Sequence, residues 1–196
     1  MTDSDGDGIG DACDPDPGLP DKIEVFTTLQ PGDQPLLSDT TDYTQEADDL
    51  RYAGISDGGV IPYPIASSVV EIGFTINSLV GTGQHQLAMG GQGASPYYFI
   101  ELNDDAAVQD VAVVVFDSGT YTSLGTQDHH GVHPGVGLIR LTTDLGGPTY
   151  TIDAGWTGEM YHAAGTVTGY TGAPGLQFAV NGLDVQFRYL AIVKRP

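Results

Sequence analysis

The chain has 196 residues and carries 26 acidic side chains against six Lys and Arg, a formal net charge of −20. So acidic a surface has no basic stripe to neutralise phosphates, which argues against nucleic acid as a partner. No apolar run reaches the ~18–20 residues that a helix needs to span a bilayer. With 40% hydrophobic residues, 28 glycines and 12 prolines, the composition is that of a folded, turn-rich chain long enough for a buried core.

The first sixteen residues read M-T-D-S-D-G-D-G-I-G-D-A-C-D-P-D. Counting Asp3 as position 1 of a calcium loop, carboxylates fall at 1 (Asp3), 3 (Asp5), 5 (Asp7), 9 (Asp11) and 12 (Asp14), with Gly8 at the sharp turn of position 6. The carbonyl of Ile9 is the position-7 ligand, because that oxygen comes from the backbone whatever the side chain. Asp14 stands where a longer Glu normally binds through both oxygens, so chain or water must close the gap. A disordered acidic linker would not set Asp at alternate positions around a fixed Gly. The spacing therefore predicts a calcium site.

D-S-D-G-D-G-I-G-D-A-C-D resembles a thrombospondin type 3 repeat and, more loosely, a dockerin loop. The resemblance implies Asp3, Asp5, Asp7, Asp11 and Asp14 as ligands, Asp16 as a ligand to a second ion, tandem repeats on a secreted protein, and disulfides between neighbouring repeats. Cys13 is the single cysteine, so a partner for it has to come from another chain or from a further segment. Met1 and Thr2 lead straight into the first ligand with no signal-peptide pattern. The expectation is the C-terminal part of a larger extracellular protein, with residues 1–20 as calcium loop and Pro-rich linker and 21–196 as the folded domain. In that linker Pro15, Pro17 and Pro20 stiffen the chain into a short spacer.

Ile23, Val25 and Phe26 open a first strand, and residues 38–59 predict a weak strand or an ordered excursion. Across Ser67–Leu79, Val70, Ile72, Phe74 and Ile76 alternate with Val69, Glu71, Gly73 and Thr75, the period-2 pattern of a strand. Further strands are predicted at Gln84–Met89, Pro96–Leu102, Gln109–Asp117, Val136–Thr143, Thr149–Asp153, Thr166–Tyr170, Gly175–Asn181 and Val185–Lys194, each bounded by turn residues. Val111–Phe116 and Phe187–Val193 are apolar on both faces, which places them centrally between two layers. The last two strands read as a hairpin. Ile72, Phe74, Val113, Val115, Leu138, Phe178, Phe187 and Leu190 are the predicted core. The fold class is all-β, an antiparallel β-sandwich.

Gly175–Val193 resembles the closing strand pair of concanavalin A-like (laminin G-like) jelly rolls, and Thr149–Asp153 with Gly155-Trp156 resembles the strand and turn before it. That resemblance implies a lectin-type sandwich.

Within the domain, His129, His130 and His133 beside Asp128 have the residue types of a transition-metal site, but adjacent strand residues point apart, so a solvated turn is expected there. Glu101-Leu-Asn-Asp-Asp105 is the nearest approach to a paired-carboxylate motif, with its acids expected at a turn. No serine-nucleophile elbow is present, and enzymatic activity is not expected. Tyr97, Tyr98, Tyr121, Trp156, Tyr161 and Tyr170 are aromatic platforms able to stack on sugar rings. Of these, Trp156, Tyr97, Tyr98 and Tyr161 are the candidate ligand-binding set, with Trp156 in a loop. Two function classes follow. One is a calcium-binding extracellular carbohydrate-binding or adhesion module, with glycans or matrix and cell-surface molecules as partners. The other is a structural domain that self-associates through exposed strand edges or through Cys13.

Overall fold

A computed structural model describes residues 2–6, 18, 22–30, 43–47, 49–54, 57–61, 68–92, 97–105, 107–144, 149–156, 158–166 and 175–194. In chain order the strands are β1 (Lys22–Thr27), β2 (Thr44–Gln45), β3 (Leu50–Gly54), β4 (Asp57–Ile61), β5 (Ser68–Leu79), β6 (His85–Gln92) and β7 (Tyr97–Asp104). They continue with β8 (Gln109–Asp117), β9 (Thr120–Asp128), β10 (Gly135–Asp144), β11 (Thr149–Trp156), β12 (Glu159–Thr166), β13 (Gly175–Asn181) and β14 (Leu183–Lys194). The described residues contain no helix.

Every pairing is antiparallel, and the strands form two sheets. One has the order β12-β11-β10-β5-β14-β3-β2, with β1 also against β14; the other has the order β4-β13-β6-β7-β8-β9. The inward side chains of both meet in one core, with Phe74, Ile139 and Phe187 from the larger sheet and Leu87, Ile100 and Phe178 from the smaller. Apolar side chains standing on alternate residues leave no other way to hide from water than to face a second sheet.

β5 follows its alternation: Val70, Ile72, Phe74 and Ile76 are all buried. In β10 the core positions are Ile139 and Leu141 rather than the expected Leu138, which lies on the outer face in register with Gly73 and Gly155. The excursion at 38–59 contains three short strands, β2 and β3 on the larger sheet and β4 on the smaller. β14 is central as expected, whereas β8 lies second from an edge. Its Val111 and Val113 fill the core while Val114 lines a groove on the other side.

One strand expectation is corrected, and two strands arise where none is expected. β13 and β14 do not form a hairpin: they belong to opposite sheets, joined through Gly182 at φ 65°, whose carbonyl accepts from Val80 N at 2.8 Å. Both strands need their apolar side covered, and a crossover lets Phe178 and Phe187 meet edge to face at 5.4 Å from either side of the core. β9 was not anticipated, because its residues are almost wholly polar or exposed. Its signal is the two-residue turn Ser118-Gly119, with φ 52° and 87°, the twist that a two-residue hairpin requires. β12 occupies Glu159–Thr166, upstream of the strand expected at Thr166–Tyr170, and residues 167–170 lie outside the described residues.

The edges of the two sheets close on each other along β9 and β12. Gln127 Oε1 accepts from His162 N at 2.6 Å, so a side chain of one edge satisfies a backbone donor of the other. Gly125 lies so near β12 that a Cβ there would come within 1.9 Å of the Ala164 carbonyl oxygen. Assembly through that edge would require the seam to open.

Candidate functional site

The outward face of the six-stranded sheet holds a groove of about 450 Å³. Its shape follows from the register. Ala179, Ala88, Glu101 and Ala112 stand side by side across β13, β6, β7 and β8, and beside them run Gln177, Gly90, Phe99, Val114 and Ser123. Small residues make a floor, and larger side chains stand around it. The sheet twist leaves the depression open to solvent.

One wall is aromatic. Tyr97 meets Phe116 at 4.9 Å and Phe99 at 6.0 Å, and Tyr121 meets Phe116 at 4.7 Å and Phe99 edge to face at 6.1 Å. Tyr121 is 65% exposed, so its ring is a platform rather than a core residue. Burial, followed by the nearby Tyr121 hydroxyl, pushes the Tyr97 phenol above its ordinary range. The other wall is polar and holds Gln84, Gln86 and Gln177.

Glu101 stands on the floor, and Gln86 Nε2 donates to its carboxylate. Burial pushes this carboxyl up to about 7, reinforced by the negative charge of Asp110 and Asp105 and opposed by the Gln86 hydrogen bond. It is the one acid among the groove's described lining residues.

The candidate aromatic set divides. Tyr97 lines the groove, whereas Tyr98 is buried among Ile100 and Leu102, and Tyr161 is buried against His129 at 5.8 Å with its hydroxyl on Glu159. These two are corrected to core residues. Successive residues of a strand face opposite ways, so Tyr97 and Tyr98 cannot serve one surface. Trp156 is the last residue of β11, in register with Gly137 and Glu159, and not part of a loop; its side chain and Tyr170 lie outside the described residues. Phe99 and Glu101 were missed as groove residues, as was Phe116, which packs against Tyr97 and Tyr121. The alternation Tyr97, Phe99, Glu101 along β7 was the available signal.

Glu101 is mid-strand rather than at a turn. Asp105 is the turn residue, its Oδ1 accepting from Ala107 N at 2.6 Å and Val108 N at 2.8 Å. The three histidines of 129–133 do not converge. His129 is buried, not solvated: its Nδ1 accepts from Gly131 N at 2.9 Å, which leaves Nε2–H to donate to the Asn103 carbonyl at 2.8 Å. No group of three or more metal-ligating side chains gathers among the described residues. Of the calcium loop, Asp3 and Asp5 are described, and Asp3 Oδ1 accepts from Gly6 N at 2.7 Å in a tight turn. Asp7, Ile9, Asp11, Cys13, Asp14 and Asp16 lie outside the described residues. No described helix is long and apolar enough to cross a membrane.

No family model matches the chain, and no curated protein matches it. Solved structures do. The winged bean acidic lectin complexed with methyl-α-D-galactose superposes with a TM-score of 0.68 at 8% identity, over 89% of this chain and 98% of that one. Peanut lectin with a nine-residue peptide gives 0.66 at 12% identity, over 88% and 97%. The exoplasmic/lumenal domain of VIP36, bound to Ca²⁺ and Man3GlcNAc, gives 0.64 at 10% identity, over 87% and 89%. At such identities the likeness is one of fold. The two facing antiparallel sheets are those of the concanavalin A-like, legume-lectin β-sandwich.

Proposed function

We propose that this chain is a carbohydrate-binding module that lays a saccharide in the groove of the six-stranded sheet. The observation that carries the reading is the groove itself: Tyr97, Phe99 and Tyr121, with Phe116 packed against the two tyrosines, offer rings to the apolar side of a sugar, opposite amides that can pair its hydroxyls. The lectin-type fold supports it, since two of the similar structures hold sugars. We take the module as non-catalytic, in keeping with the lectins among the similar structures. Screening on an immobilised glycan panel, followed by calorimetry, is expected to find one saccharide class whose affinity falls about tenfold or more in Tyr121→Ala, a loss of roughly one stacking contact. An unchanged affinity in that variant would remove the groove from the account.

We further propose that Asp3, Asp5, Asp7, the Ile9 carbonyl, Asp11 and Asp14 hold calcium, with Asp16 at a second ion, and that the module is extracellular. The described turn, in which Asp3 Oδ1 accepts from Gly6 N at 2.7 Å, folds the first positions of the loop and supports the first part. Calorimetry is expected to show calcium binding that weakens at least tenfold in Asp5→Ala. No heat above buffer would sink the site.

A second reading, a structural domain that assembles with other copies, has its own observation. The outer face of the larger sheet and its margin expose Ile23, Phe26, Val136 and Met160, apolar side chains that a second copy could cover. Sedimentation showing concentration-dependent assembly, with no saccharide bound, would favour it.

A further inference from the structure

The two sheets differ in charge as sharply as in shape. Among the described residues Lys22, Arg51, Arg140, Arg188 and Lys194 all stand on the eight-stranded sheet. The six-stranded sheet carries Asp57, Glu101, Asp104, Asp110, Asp117 and Asp128 and no Lys or Arg in any of its strands. Lys22, Arg51 and Arg140 are each ion-paired with an acid of their own sheet, Glu24, Asp184 and Glu71, which offsets their field. A solute approaching the groove meets mainly the carboxylates of the six-stranded sheet.

Glu101 is the part of that field which reaches the floor. Gln86 gives its carboxylate a neutral donor, and the described lining offers no cation to balance it. The rings beside it, Tyr97, Phe99 and Tyr121, present the electron-rich faces that attract an ammonium group. A carboxylate and several ring faces around one space are complementary to a cation. The amides of Gln84, Gln86 and Gln177, and a volume of about 450 Å³, suit a sugar ring in addition to its charge.

We propose that the groove selects a positively charged, amino-bearing saccharide, a hexosamine chain with free ammonium groups, with the ammonium seated between Glu101 and the Tyr97–Tyr121 wall. This rests on the saccharide reading above and narrows it. Uronic, sialylated and sulfated glycans are excluded by the same field. The burial that raises the Glu101 carboxyl to about 7 is then a cost that the bound cation offsets.

Titration calorimetry at pH 7 separates the cases with three probes of equal length: a glucosamine oligosaccharide, its N-acetylated counterpart and a uronate oligosaccharide. The free-amine oligomer is expected to bind at least tenfold tighter than the acetylated one, with no detectable uronate binding. Glu101→Gln should bring the amine and acetylated forms to the same affinity. Raising the salt to about 0.5 M should weaken the free-amine oligomer alone, a measurement on the unaltered chain that decides the matter even if Glu101→Gln fails to fold. Equal affinity for amine and acetylated forms, or a preference for the uronate, would overturn the charge selectivity while leaving a saccharide module in place. No binding to any sugar on a broad panel would overturn the saccharide reading itself.

Discussion

Replacing Phe187 by alanine is expected to lower the unfolding free energy by about 3–5 kcal/mol and the melting midpoint by roughly 10–15 °C. The ring is 2% exposed and sits where the sheets meet, 5.4 Å from Phe178 and 6.2 Å from Tyr43, with β5 on one side and β3 on the other. Removing it leaves a void bounded by two rigid sheets that cannot collapse independently, so the cavity cost adds to the lost burial. Phe26→Ala is the control. That ring is 63% exposed and stacked on Tyr189, and its loss should fall near the surface range of about 0.5 kcal/mol. Urea unfolding of both variants measures the contrast, and a cost for Phe187→Ala no larger than the control's would displace it from the centre of the core.

The second large effect is expected from adding a single methyl group. Gly125→Ala should destabilise by about 3 kcal/mol, the upper end of the overpacking range, because the new Cβ would lie 1.9 Å from the Ala164 carbonyl oxygen and 2.8 Å from its carbon. Both obstacles are backbone, so no rotamer change relieves them, and β9 has to move away from β12. Hydrogen exchange should show loss of protection along Thr120–Asp128 and Glu159–Thr166 while β5 and β14 stay protected. A variant with the parent's urea midpoint would mean that the seam is loose enough to absorb a methyl group. Ser123→Ala, on the same strand but facing the groove, should leave the midpoint within about 0.5 kcal/mol.

What the sequence disclosed tracks how strongly each segment alternates. β5, β7 and β13 each turn a run of alternate apolar residues into the core, and that periodicity is readable without coordinates. β9 is almost wholly polar or exposed, and β12, although Tyr161, Ala163 and Gly165 alternate inward, buries mostly small residues, so neither shows a clear apolar period in the sequence. The last two strands misled for a different reason. A tight connection through Gly182 looks alike whether the chain turns back into its own sheet or steps across to the other, and the deciding contact, Phe178 on Phe187, appears only in three dimensions. The same holds for the site. Aromatic abundance was visible, but which rings converge depends on the pairing of β7 with β8 and of β8 with β9, which gathers Tyr97, Phe99, Phe116 and Tyr121. Glu101 has no paired acid in sequence to mark it, whereas its surroundings of rings and amides make it distinctive alone. Local spacing can propose the calcium loop, since all its ligands lie within twelve consecutive positions; it could not propose the groove, whose parts come from residues 84 to 179.

The position of β14 also bears on how the chain is made. Leu183–Lys194 is the latest strand in sequence, yet it pairs with β5, β3 and β1, including Lys22 with Lys194. During synthesis at ~5–20 residues per second, β1, β3 and β5 emerge and then wait several seconds for the strand that joins them. Until it arrives each presents unpaired backbone along an edge, the form of chain most prone to pair with a neighbour. The heavy acidic bias of the first 57 residues, which includes β1 and β3, keeps nascent copies mutually repelled through that interval. Closure then comes from the C-terminal end inward, and a ribosome that stalls before residue 183 releases a product with the middle of its larger sheet missing.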